Sequence, residues 1–181
     1  SNDVEAPDQK DNVTILSKSE EETEKKKMAY DSSRVYRTGP DEQFDFGGIS
    51  FQTFGSTDRG ISIYFEVHGI NFLHAGDLNA WKWPSFSEED QEKEIADFRK
   101  EIDKIKYYDV DIAFGVLDPR LEDNAYIGPD ILLEEIQPKL FIPMHFREDF
   151  GITEKYAKDR KDNEQTRIQS FRSQYEQLIV R

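Results

Sequence analysis

The chain has 181 residues, 24 Lys+Arg against 38 Asp+Glu, a formal net charge of −14, no cysteine and three histidines, His68, His74 and His145. The length points to one domain, and the lack of cysteine excludes a disulfide framework, a thiolate zinc site and a cysteine nucleophile. The acidity disfavours attraction to phosphate backbones, and no apolar run approaches the roughly 18 residues of a membrane span, so neither nucleic acid nor membrane is expected as a partner and a cytoplasmic location is expected.

Residues 1–12 hold almost nothing to bury and read as a flexible tail, with a trimmed or processed start at Ser1-Asn2, ahead of a single partial domain over 13–181. Val13–Leu16 is a short β-rich run. Glu20-Glu21-Glu22 opens a helix expected to reach about Ala29, with acids where the helix dipole favours them. Val35-Tyr36-Arg37 is extended, and Gly39-Pro40-Asp41 and Gly47-Gly48 are turns. Ile49–Phe54 and Ile61–Val67 read as strands, the second with 61, 63, 65 and 67 apolar on one face. His68-Gly69 turns into Ile70–His74, so this part of the sheet is expected to be antiparallel.

The period changes from Ser87. Ile95, Phe98, Ile102 and Ile105 form one apolar stripe on a charged helix, and Ser87 with Asp90 resembles a capping box. Asp111–Leu117 is a strand apolar enough to be central. Gly128-Pro129-Asp130 opens a helix that Pro138 ends, and Lys139–His145 is a second buried strand, so the three form a parallel βαβ unit. The remainder, 153–180, reads as helical, with Ile168, Phe171, Tyr175 and Ile179 on one face. The expected class is α/β (α+β layered) with a mixed sheet.

Chemistry gathers at two strand ends. Gly76 lets the chain turn after His74-Ala75, so that Asp77 projects beyond the sheet, and His145 ends the other buried strand. One carboxylate and one imidazole suit zinc or another first-row divalent metal. Taken alone, the same residues are more commonly a turn-forming aspartate and a hydrogen-bonded structural histidine. Asp118, in Asp118-Pro119-Arg120, either supports a ligand from behind or forms a turn. Arg59 meets an anionic substrate or is solvated. Trp81 and Trp83, with Pro84 and Phe86, form a substrate wall, a partner surface or a lid packed on their own domain. His68 reads as a solvated turn residue.

The ordered set Thr53–Gly60, Asn71–Leu78 and Pro138–Phe146 resembles the late motifs of metallo-β-lactamase-fold hydrolases, in the branch of the ascorbate-phosphate lactonases, over roughly residues 13 to 150. The resemblance implies the C-terminal half of a four-layer αββα sandwich. It makes Asp77 the metal-bridging aspartate, His145 the terminal histidine ligand of the second metal, and His74 a neighbour of the aspartate. At the third motif Ser56 stands where a histidine is usual, and Asp58 is the nearby carboxylate. The first motif, H-x-H-x-D-H, is absent from this sequence.

On this reading the divalent metal is zinc, manganese or iron, and the substrate is a small ester, lactone or phosphoester. No catalytic residue is assigned, and the isolated chain, carrying half a site, is expected to be inactive. Half a sandwich exposes an apolar face, so the chain is expected to form a homo-oligomer or to pair with a complementing N-terminal half. The other reading is a non-catalytic acidic association module that binds no metal.

Overall fold

A computed structural model describes residues 14–17, 35–161, 163–174 and 176–178. The tail expected over 1–12 and the helix expected over 20–29 lie outside the described residues. Two short β-rich runs, β1 (Thr14–Ser17) and β2 (Val35–Thr38), pair in parallel as a separate small sheet. Seven further strands form one mixed sheet: β3 (Gln43–Phe46), β4 (Ile49–Phe54), β5 (Ser62–Val67), β6 (Ile70–His74), β7 (Ile112–Val116), β8 (Leu140–Met144) and β9 (Arg167–Ile168). They lie in sequence order. β3 to β6 are joined antiparallel, and β6 to β9 run parallel.

The switch follows from the connections. β5 and β6 are linked by His68 and Gly69, with φ of 53° and 77°, the positive pair that a two-residue hairpin turn demands. β6 reaches β7 through α1 (Glu88–Ile105), and β7 reaches β8 through a short 3-10 turn (Pro119–Asn124) and α2 (Ile127–Ile136). Crossovers of that length allow parallel neighbours. α1 starts where Ser87 accepts a hydrogen bond from the Asp90 amide, and it buries Phe98, Ile102 and Ile105. These pack with Leu73, Ala113 and Phe141 from one sheet face, with Leu132 of α2 and with Tyr156 of α3 (Phe150–Asp159). This helical side is the core.

The other sheet face is also apolar. A row of rings crosses it from Tyr36 to Phe44, Phe51, Phe65 and Phe72, with successive centroids 4.0, 5.2, 5.6 and 5.1 Å apart. β2 lies against the β3 end of this row through Tyr36, where Phe44 and Phe51 are buried. Phe65, Phe72, Phe114 and Ile142 stay partly exposed, and Ile70 is 38% exposed. No helix of the described residues packs there.

Two expectations are corrected. The helix expected over 153–180 is instead α3, over Phe150–Asp159, followed by the short strand β9. Asp149 starts α3 early by accepting from the Ile152 amide. The Asn163 side chain then accepts from the amides of Gln165 and Thr166, which breaks the helical ladder. Ile168 pairs with Phe141 in β9, and Phe171 lies in irregular chain, while Tyr175 and Ile179 lie outside the described residues. The second helix opens at Ile127 rather than at Gly128, after the 3-10 turn that the sequence reading did not expect. β3 also went unexpected, because Gln43–Phe46 carries only two apolar residues.

Candidate functional site

Past the end of β6 the chain turns against β5. Gly76 has φ 58°, and a Cβ there would stand 2.6 Å from the carbonyl oxygen of Ile61. Only glycine lets the turn close that tightly. Asp77 follows, and its own carbonyl accepts the Trp81 indole N–H at 2.9 Å. Past the end of β8, His145 takes φ 66°, a left-handed conformation that costs energy for a non-glycine residue and that clusters at functional sites.

Asp77 and His145 meet across the end of β7. His145 Nε2 lies 3.2 Å from Asp77 Oδ1, and its Nδ1 lies 2.9 Å from Asp118 Oδ2. Asp118 is fully buried. It caps the 3-10 turn, accepting the Arg120 amide, and it also receives the Arg120 guanidinium, with Nε 2.9 Å from Oδ1. Burial pushes the Asp118 carboxyl up, but the bonds from Arg120 and His145 outweigh it and hold the group below the ordinary carboxylate range. As an ionised carboxylate it only accepts, so Nδ1 of His145 carries the proton.

Aromatic rings close the arrangement into a loop. The Arg120 guanidinium sits 5.1 Å from the Trp83 ring centroid, Trp83 stacks on Trp81 at 5.7 Å, and Trp81 meets His145 edge-on at 5.6 Å. The ring His145–Asp118–Arg120–Trp83–Trp81 therefore fixes the imidazole from both sides. Trp81 is buried against its own domain.

The remaining sequence candidates separate. His74 lies beside Phe114 at 5.7 Å, and its Nδ1 accepts the Gly76 amide at 3.1 Å; desolvation lowers its pKa, in keeping with an imidazole that accepts. Asp58 is exposed, and its charge is felt by Arg120. Ser56 lines a depression with Lys93, Glu94 and Glu101 of α1, and its Oγ accepts the Asp58 amide. Arg59 is exposed, with no contact among the described residues that ties it to Asp77 or His145. His68 is exposed in its turn. Asp118 forms the expected turn and, at the same time, supports His145. Arg120 was not among the sequence candidates. Its signal was the carboxylate two residues before it, at the end of an apolar strand.

Asp118 also sets an acid limit on stability. Its folded pKa is depressed, so its contribution is present above the unfolded carboxylate pKa and is lost as pH falls through the folded value. Unfolding free energies measured from roughly pH 5 down to pH 2 are expected to fall less steeply in Asp118→Asn than in the parent. An identical slope in the two proteins would show that Asp118 does not titrate with unfolding.

No protein-family profile matches the sequence, and no curated protein matches it. Solved structures do. The diiron β-hydroxylase CmlA from Streptomyces venezuelae is 8% identical, with a TM-score of 0.49 over 75% of this chain and 33% of its own. The metallo-β-lactamase fold protein YhfI from Bacillus subtilis is 9% identical, with a TM-score of 0.42 over 70% and 49%. The metallo-β-lactamase SMB-1 is 14% identical, with a TM-score of 0.41 over 68% and 64%. YhfI and SMB-1 are metallo-β-lactamase-fold or metallo-β-lactamase proteins by name. This chain spans between 33% and 64% of these neighbours' own length. Among the described residues no helix is long and apolar enough to cross a membrane.

Proposed function

We propose that the chain is part of a metal-dependent hydrolase of the metallo-β-lactamase fold, acting on an ester, lactone or phosphoester, with Asp77 and His145 as two of its metal ligands. The observation that carries this is the meeting of His145 Nε2 and Asp77 Oδ1 at 3.2 Å. With Nδ1 donating to Asp118, Nε2 faces a carboxylate oxygen across a gap that a proton or a bound cation would fill. Two donors at 2.0–2.1 Å from one tetrahedral zinc lie about 3.3 Å apart, so the pair fits two corners of such a site.

The set is incomplete. Among the described residues no group of three His, Cys, Asp or Glu could hold a metal, whereas a catalytic zinc takes three protein ligands. The residues present therefore fit part of a metal site, and no reaction step follows from them alone. The missing donors and the half-open aromatic sheet face pose one requirement. A second copy of the chain that covers Phe65 and Phe72 is the source we infer for the remaining ligands.

Zinc titration of the purified chain, with metal content read by mass spectrometry, tests this. Saturable zinc binding is expected, weakened at least tenfold in both Asp77→Ala and His145→Ala. A stably folded chain with no zinc site, or a site indifferent to both substitutions, would remove the hydrolase reading. It would leave the acidic association module, which the shortage of donors favours.

A further inference from the structure

Beyond His145 the chain keeps turning, and Arg147 also takes a left-handed conformation, with φ 57°. Phe146, held between these two residues, stacks on Phe171 at 5.7 Å and meets Phe150 edge-on at 5.6 Å. The three rings line a cleft of about 450 Å³, with Arg147, Ser173 and Gln174 also on its wall. That volume suits a small molecule. The far wall is anchored rather than loose: the Phe171 amide donates to the buried Thr153 hydroxyl at 2.9 Å.

The charges in the cleft are uneven. Glu176, its carboxylate, accepts the Arg172 amide at 2.9 Å. Arg172 is itself paired with Glu154. Arg147 is exposed and has no ion pair among the described residues. Glu176 shares the cleft wall but is held on the Arg172 amide. That leaves the Arg147 guanidinium beside three half-buried phenyl rings, a combination that would suit a flat apolar group carrying a negative charge.

We propose that this cleft binds the substrate of the candidate site through an aromatic group seated among Phe146, Phe150 and Phe171, with its carboxylate or phosphate on Arg147. The assignment to substrate rests on the hydrolase reading, because the cleft begins one residue past His145.

Amide chemical shifts of the full chain, followed by NMR during titration with phenylacetate, phenyl phosphate and the neutral phenylacetamide, test it. Saturable shifts are expected at residues 146–150 and 171–174. Arg147→Gln is expected to weaken both anions about three- to fivefold and to leave phenylacetamide unchanged. Phe171→Ala is expected to weaken all three. No saturable shift, shifts on the open sheet face at Phe65 and Phe72 instead, or equal binding of the anions by Arg147→Gln would overturn the proposal. His145→Ala is expected to keep the cleft, which separates the two readings. Phenylacetate binding without a zinc site would remove the hydrolase reading and, with it, the substrate assignment. A zinc site without phenylacetate binding would remove the cleft alone.

Discussion

Replacing Arg120 with alanine is expected to lower the free energy of unfolding by about 3 kcal/mol, the low end of the cost of stripping one partner from a buried ion pair. The low end applies because the two partners differ in solvation: Asp118 is fully buried, while the Arg120 side chain is 43% exposed. The loss comes mainly from leaving the Asp118 carboxylate in a dry site with fewer donors. Removing that charge as well should therefore help. In denaturant unfolding, the double variant Asp118→Asn/Arg120→Ala is expected to recover part of the stability lost by Arg120→Ala. A double variant no more stable than the single one would show that the buried charge is not the cause. The substitution also frees Trp83 and loosens the support of His145, so a weaker zinc site is expected to accompany the lower stability.

Gly76→Ala is expected to cost about 2–5 kcal/mol, the sum of a left-handed backbone imposed on a residue with a Cβ and of overpacking in a closed turn. The obstacle is backbone, since the added atom would meet the Ile61 carbonyl oxygen at 2.6 Å. Ile61 cannot move aside cheaply, because the next residue begins β5, and Ile63 there pairs with His74. For a chain of this size the loss corresponds to a fall in melting temperature of roughly 4–20 °C, which calorimetry reads directly. Relief of the clash by movement of the loop would carry Asp77 away from His145. Zinc binding in Gly76→Ala should then fall towards that of Asp77→Ala. An unchanged melting temperature together with unchanged zinc binding would mean that the turn has room which the Ile61 contact denies.

The sheet and its helices were legible where the signal is local. The three-and-four spacing of Ile95, Phe98, Ile102 and Ile105 shows which helix face is buried. The alternation in 61–67 marks a strand but puts its apolar side on the half-open face, whereas Tyr64 on the opposite side packs against the core. The stretch after residue 153 misled because its charge and scattered apolar residues fit a helix, while Ile168 was taken up by pairing with Phe141 in a neighbouring strand. Sheet pairing over such a distance leaves no local mark. Arg120 was hidden for a related reason. The residue types of Asp118-Pro119-Arg120 are ordinary turn chemistry, and their meaning depends on a histidine 27 positions from Asp118 and on a tryptophan from a third loop.

By itself, then, the sequence determined the strands and long helices between Ile49 and Met144, the placing of Asp77 and His145 at strand ends, and a histidine count too small for a metal site rich in imidazole. Periodicity and composition are properties of neighbours along the chain, so they survive without a structure. Only the tertiary structure decided that β6 and β8 flank β7, which brings Asp77 to 3.2 Å from His145. It also decided that Asp118 holds the far nitrogen of that ring and that, among the described residues, no helix covers one apolar sheet face. Donor distances and the covering of a face are set by strand order and packing, which bring together side chains far apart in sequence.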